Sequence, residues 1–127
     1  ITLGHLKMVE EITGNKPDEI LFAGGSAYSE LWSQTIADIL GIRVITPKEK
    51  EATALGAAFL AGIGSGVYDS LEETTQYVQI DKVFEPDMDN HRKYLEIFND
   101  WQALYKEVLN ISDKGLTEYM WIAPGSE

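Results

Sequence analysis

The sequence predicts an α/β fold, and three observations carry the prediction. Two short apolar runs, residues 19–23 and 43–46, are each closed by turn residues, Gly24-Gly25 and Pro47. Around and between them lie longer segments whose apolar residues recur at helical spacing. The two kinds of segment alternate at short intervals, as in a sheet covered by helices.

Each element follows from local chemistry. Leu3, Leu6, Val9 and Ile12 fall near helical spacing, and Gly14 is a suitable stop, so the chain is expected to open on a helix. Asn15, Lys16, Pro17 and Asp18 read as a loop. The run 19–23 is expected to be a buried parallel strand that delivers a tight Gly24-Gly25 turn. Residues 26–29 lead into a second helix, with Leu31, Trp32, Thr35, Ile36, Ile39 and Leu40 on its apolar side and Gly41 at its end. Residues 43–46 form the second strand. A third helix over 52–63 is rich in Ala and Gly, which weakens it locally but lets another backbone come close. Residues 77–84 alternate partly and read as a third strand. Pro86 and Asp87 open a long final helix in which Tyr94, Phe98, Trp101, Tyr105 and Val108 recur at three or four residues, with Asp87 or Asp89 as its cap. The ending, 115–127, is turn-rich and carries Tyr119 and Trp121.

At 127 residues, 44% hydrophobic and 24% charged, the chain is one globular domain or a piece of a larger one; disorder and collagen-like structure are excluded. Acids outnumber bases 21 to 10, and the net charge of −11 disfavours general nucleic-acid binding and an anionic membrane surface. With no cysteine there is no disulfide framework, thiol nucleophile or thiolate metal site, in keeping with a cytoplasmic protein. No secretory signal pattern is present, and the apolar stretch 55–67 is too short and too rich in glycine to span a bilayer. The charge is uneven. Residues 1–64 hold five bases and eight acids, a net −3, and residues 65–127 hold five and thirteen, a net −8. A polyanionic ligand therefore fits the first half better.

The sharpest motif is the strand–Gly24-Gly25-Ser26-Ala27-Tyr28-Ser29–helix passage. Two missing Cβ atoms let a flat ring or a ribose lie against the main chain, and a helix start favours anionic groups. Ser26 and Ser29 can cap that helix or donate to a ligand. Taken alone, two glycines are more often an ordinary turn than a nucleotide contact. Other candidates are weaker. Residues 62–66 carry glycines but lack the lysine of a phosphate loop and read as a helix end. The carboxylates of 85–90 lack the glycine and later glutamate of a calcium loop and read as helix capping. His5 and His91 lie in no metal-ligand spacing and are expected at the surface, and the aromatic stripe of the final helix reads as core. Glu49 and Glu51 read as partners of a helix N-terminus, with Glu51 facing a cleft as the less favoured alternative, and Asp38 as a solvated or capping acid rather than a general base. No catalytic residue and no metal-ligand set is identified in the chain.

A longer pattern reverses the weighing of the two glycines. Gly24-Gly25, Ser29, Leu31-Trp32, Gln34, Ala37-Asp38 and Leu40-Gly41, followed by Pro47, Glu51-Ala52-Thr53-Ala54-Leu55-Gly56-Ala57-Ala58 and Ala61-Gly62, resemble the C-terminal signature of the FGGY carbohydrate kinases over about residues 19–68. The resemblance implies an actin-like, ribonuclease-H-like ATPase fold, with ATP in a cleft between two lobes. It implies that residues 1–127 are the C-terminal, adenosine-binding portion of a several-fold longer kinase, whose N-terminal catalytic and sugar-binding lobe is not in this chain, and that the piece is inactive alone. Carried over by position, Gly24 and Gly25 line the adenosine, Ser26 and Ala27 flank the purine, and Ser29 stands where glycerol-phosphorylating members have an adenine-contacting asparagine. The Ala-rich helix packs beneath the nucleotide. ATP with Mg²⁺ is the implied cofactor, its metal ligands lying outside this chain. The implied partners are ATP or ADP and a small carbohydrate-like substrate, with a homodimer possible and no nucleic acid or membrane. Residues 115–117 and 121–125, with Phe22-Ala23 and Ser33-Gln34, are most similar to members that phosphorylate a small carbohydrate-like signal; pentulose-phosphorylating members come next. A non-catalytic binding or regulatory domain, docking a basic partner on the acidic second half, stays open as an alternative.

Overall fold

A parallel strand pair stands where the two apolar runs predict it. The computed structural model describes residues 2–117. β1 (Glu19–Leu21) lies parallel to β2 (Arg43–Pro47), with Ile20 opposite Val44 and Leu21 opposite Ile45. β3 (Ile80–Phe84) runs antiparallel along the other edge of β2, giving the order β1-β2-β3. The central strand is the buried one: Val44 and Thr46 are almost fully covered. β1 departs from the expected buried strand, since Leu21 is half exposed. It is an edge strand among the described residues, and an edge has cover on fewer sides.

The helices, in chain order, are α1 (Thr2–Thr13), α2 (Glu30–Leu40), α3 (Ala52–Gly64), the single turn α4 (Leu71–Thr74) and α5 (Met88–Asp113). The chain divides into two compact units, one ending at Arg92 and one beginning at Lys93. In the first, α2 packs on β2 and against α1. Its buried stripe is Ser33, Ile36, Ala37 and Leu40, an i, i+3, i+4, i+7 set. This corrects the predicted face, because Leu31 is 79% exposed and Trp32 is half exposed. Ser33 can lie inward because its hydroxyl donates to the Ser29 carbonyl at 3.1 Å, which removes the cost of burying it.

Both ends of α2 are closed by specific groups. Ser29 Oγ accepts the Trp32 N–H at 3.2 Å, and Glu30 sits in the first turn. At the other end Gly41 takes φ 68°, and its N–H donates to the Ala37 carbonyl at 2.8 Å. The His91 ring lies over that glycine. His91 Nδ1 is 3.0 Å from the Asp38 carbonyl and 3.1 Å from the Ile39 carbonyl, so it carries a proton and caps the last turn of α2. The expectation of a free surface histidine is thereby corrected for His91, while His5 is exposed as expected.

α3 is apolar along most of its length, yet Phe59 is its one buried residue and Leu60 is 65% exposed. Phe59 meets Tyr68 edge-on, with centroids 6.1 Å apart, and Tyr77 at 6.4 Å. Close approach does occur at a glycine of this helix, but the approaching group is a ring: a Cβ on Gly62 would stand 2.5 Å from Tyr68. Tyr77 belongs to a 3-10 turn over Thr75–Tyr77, so the third strand begins three residues later than predicted. Asp87 is the cap of α5, its Oδ1 accepting the N–H groups of Asp89 at 2.8 Å and Asn90 at 3.2 Å.

In the second unit α5 continues with Phe98, Trp101 and Tyr105 stacked in sequence, centroids 6.0 and 5.1 Å apart. Phe98 is buried, but Trp101, Tyr105 and Val108 are each more than 40% exposed, so most of this stripe is not core in the chain as it stands. Tyr119 and Trp121, with the rest of 118–127, lie outside the described residues.

The Gly41–His91 contact gives a stability prediction. Gly41→Ala combines a strained left-handed φ with a Cβ placed 2.6 Å from a ring held by two carbonyls, and should cost about 2–3 kcal/mol in urea unfolding. Gly66→Ala, at φ 77° with open space around it, should cost only about 1 kcal/mol. Equal losses would rule out the ring contact as the larger part of the effect.

Candidate functional site

The site is built at the carboxyl end of β1. The parallel ladder runs one residue past the strand, with the Phe22 N–H donating to the Ile45 carbonyl at 2.8 Å. The chain then leaves the sheet at Gly24, whose φ of 85° and ψ of −177° belong to a region that essentially only glycine occupies. Its N–H donates to the Lys50 carbonyl at 2.7 Å, in the loop that follows β2. Gly25–Tyr28 form one 3-10 turn, in which the Gly24 carbonyl accepts from Ala27 at 2.9 Å and the Ser26 carbonyl from Ser29 at 3.2 Å. α2 follows directly.

The two glycines differ in what they do. Gly24 is required by backbone conformation. Gly25 has no such requirement, and the position of its missing Cβ is open space, as is that of Gly24. Gly25, Ser26, Tyr28 and Ser29 are exposed. Ala27 is buried, which corrects the expectation that it faces a ligand: its methyl braces the turn from within. Ser29 Oγ accepts the Trp32 N–H as the helix cap, which leaves its proton able to donate outward.

Beside the turn, a groove of about 200 Å³ opens between the carboxyl ends of the parallel strands and the first half of α3. Ala23, Pro47, Glu49, Ala52, Leu55 and Gly56 are among its lining residues, and its surface is largely apolar. A crevice at the carboxyl ends of parallel strands is the usual ligand position in open α/β sheets.

Two residues of the site carried no sequence signal. Lys50 is nine-tenths buried, with Nζ 2.9 Å from Asp81 Oδ2, 3.3 Å from the Pro47 carbonyl and 5.5 Å from the centre of the Tyr28 ring. Asp81 is held below its ordinary carboxylate range, first by the hydrogen bond from Lys50 and against a smaller desolvation effect. Lys82, on the same strand, pairs with Glu30 in the first turn of α2. The acidic second half of the chain is thus not wholly remote from the turn, because β3 brings Asp81 and Lys82 beside it. Neither residue was legible, since 31 positions separate Lys50 from Asp81.

Asp38 and Glu49 each hold main-chain or side-chain donors of the fold. Asp38 is buried, where desolvation pushes its carboxyl up. The Asp87 N–H at 2.9 Å, Gln34 Nε2 at 2.8 Å and Asn90 Nδ2 at 3.1 Å outweigh that and hold it below the ordinary range. It is neither solvated nor a poised base; it ties α2 to the start of α5. Glu49 Oε1 accepts the Glu51 N–H at 2.8 Å just before α3. Among the described residues no group of three or more His, Asp or Glu is placed to hold a metal ion, and no helix is long and apolar enough to cross a membrane.

Comparison with known proteins finds likeness both in sequence and in fold. Residues 1–65 match the model of the FGGY family of carbohydrate kinases, C-terminal domain. The autoinducer-2 kinase of Yersinia enterocolitica is 42% identical over 122 residues, 95% of this chain and 23% of that protein. The chain thus spans about a quarter of the length of the curated relatives it matches. Among solved structures, xylulose kinase from Rhodospirillum rubrum superposes with a TM-score of 0.68 at 25% identity, over 87% of this chain and 22% of that one. The glycerol kinase of Plasmodium falciparum with ADP superposes with a TM-score of 0.58 at 25% identity, over 83% and 22%. These likenesses carry the actin-like fold expected from the signature residues.

Asp38 gives a prediction with a defined pH dependence. A carboxyl whose folded pKa is lowered contributes stability above its unfolded pKa and loses it as pH falls through the folded value. Asp38→Asn sets an amide donor against three donors, and should destabilise by about 1–3 kcal/mol at pH 7. The deficit should shrink as urea unfolding is repeated down through the acid range. A deficit constant from pH 7 to pH 3 would count against a charged Asp38 as the hub.

Proposed function

This chain belongs to the FGGY family of carbohydrate kinases, and from that premise we propose that it is the adenosine-binding portion of an ATP-dependent kinase for a small carbohydrate-like alcohol. The observation that carries the reading is the Gly24-Gly25 turn, set at the carboxyl end of β1 with open space where both Cβ atoms would stand. A purine or ribose can lie flat against such a main chain. Gly24 shapes the turn, Gly25 supplies the flat face, and Ser26 and the Ser29 hydroxyl offer donors at its rim. A glycerol kinase of similar fold was solved with ADP, which supports a nucleotide as a ligand of this fold.

In the reaction, the γ-phosphoryl group passes from ATP to an acceptor hydroxyl, which loses its proton to a base. On this reading the base, the Mg²⁺ ligands and the acceptor pocket belong to the rest of a longer protein, as this chain spans about a quarter of the length of the relatives it matches. The contribution of residues 1–127 is to bind and orient the nucleotide, which lowers the barrier by positioning. The acceptor we favour is autoinducer-2, in its open-chain dihydroxy-pentanedione form, on the strength of the 42% identical relative. Phosphorylation there would trap a quorum-sensing signal inside the cell. A pentulose acceptor is the second reading, favoured by the xylulose kinase of similar fold.

The test is Gly25→Val in the full-length protein. The Cβ position at Gly25 is open and its φ is not positive, so the melting temperature should barely move. The KM for ATP should rise on the order of tenfold, because the valine occupies the ring's place. An unchanged KM for ATP would falsify the adenosine contact. Assays with dihydroxy-pentanedione and xylulose side by side decide the acceptor: kcat/KM should favour the first.

A further inference from the structure

The Gly24-Gly25 turn is held at both ends by one residue. The Lys50 carbonyl accepts the Gly24 N–H at 2.7 Å, where the turn begins, and the Ala52 N–H at 2.9 Å, where α3 begins. The Lys50 ammonium lies over the ring of Tyr28, where the 3-10 turn ends. A lysine is rarely buried unless its charge is met, and here it is met by Asp81 and the Pro47 carbonyl.

The carboxylate is aimed at Lys50 by an irregularity in the sheet. Thr46 of β2 is opposite Lys82 of β3, but the next residue, Pro47, is opposite Ile80. Asp81 is therefore the extra residue of a bulge, a feature that turns a side chain away from the regular alternation. Lys82, next to it, reaches Glu30 at the start of α2. β3 thus grips the loop before the turn's anchor and the helix after the turn. This strand lies beyond the residues matched by the family's domain model.

We propose that Lys50 and Asp81 are positioning residues for the nucleotide: the ion pair across the β2–β3 bulge sets the height of the Gly24-Gly25 turn against the base. The proposal rests on the adenosine reading of that turn. Neither residue needs to touch ATP. The main chain of Lys50 carries the effect, because a displaced Lys50 carbonyl moves the Gly24 N–H that it holds, and small misplacements of a binding surface are costly.

The experiment compares Asp81→Asn, Asp81→Glu, Lys50→Met and Gly25→Val in the full-length enzyme, with Arg43→Ala as control. Arg43 forms exposed ion pairs with Glu19 and Glu85 on the same sheet, with no link to the turn. Asp81→Asn and Lys50→Met should raise the KM for ATP on the order of tenfold, with the KM for the acceptor unchanged and Asp81→Glu largely restoring the wild-type value. Arg43→Ala should change neither constant. A rise with Gly25→Val but none with Asp81→Asn sinks the positioning role while the adenosine site stands. If Gly25→Val also has no effect, the adenosine reading fails and takes this one with it. Equal rises in both KM values, with a lowered melting temperature, would show the pair to be structural only. Should Lys50→Met fail to fold, the half-exposed Asp81 decides the matter through its Asn and Glu variants.

Discussion

One hydrogen bond governs how the parallel pair becomes a site. When β1 ends, the main chain has to leave the ladder, and its next polar groups need partners away from the sheet. The Gly24 N–H finds its partner in the carbonyl of Lys50, in the loop just past the end of β2. That bond turns the chain outward at a conformation only glycine tolerates, and the same carbonyl also starts α3. The position of the turn, the mouth of the groove and the first residue of α3 are therefore tied to one atom. Moving any of them moves the others.

The rest of the first unit is arranged so that this anchor stays put. α2 is closed at its start by Ser29, a residue of the turn itself, and at its end by Gly41 and His91. Asp38, inside that helix, collects donors from three positions and fixes where α5 begins. Among the described residues no buried side-chain nitrogen or oxygen lacks a partner, so the polar network is complete rather than strained. A fully satisfied network resists displacement.

Much of the site was legible because its chemistry is local. Gly24-Gly25 after an apolar run, Ser29 three residues before the helix amide it caps, and Gly41 after the last helical turn are signals confined to a few neighbouring residues. The misreadings of His91 and Lys50 came where a partner lies far along the chain, and that of the α2 face from reading apolar residues as core. His91 looked isolated because its carbonyl partners sit 52 and 53 positions away. Leu31 and Trp32 looked like core because they are apolar, while Ser33 is buried because a main-chain carbonyl within its own helix satisfies it. Lys50, lying between two glutamates, gave no sign that its charge is spent on Asp81.

Residue order alone was enough for the alternation of strands and helices, the helix ends, the glycine turn and the family signature, because periodicity, capping and backbone freedom act within a few residues. Folding in three dimensions settled the rest. It chose which face of α2 is inside, made Asp38 a structural hub rather than a solvated acid, and left α3 with Phe59 as its one buried residue. It also placed a bulge in β3 beside the Gly24-Gly25 turn. Burial and charge pairing depend on which distant segments meet, and that is fixed by the packing of the whole unit rather than by any window of sequence.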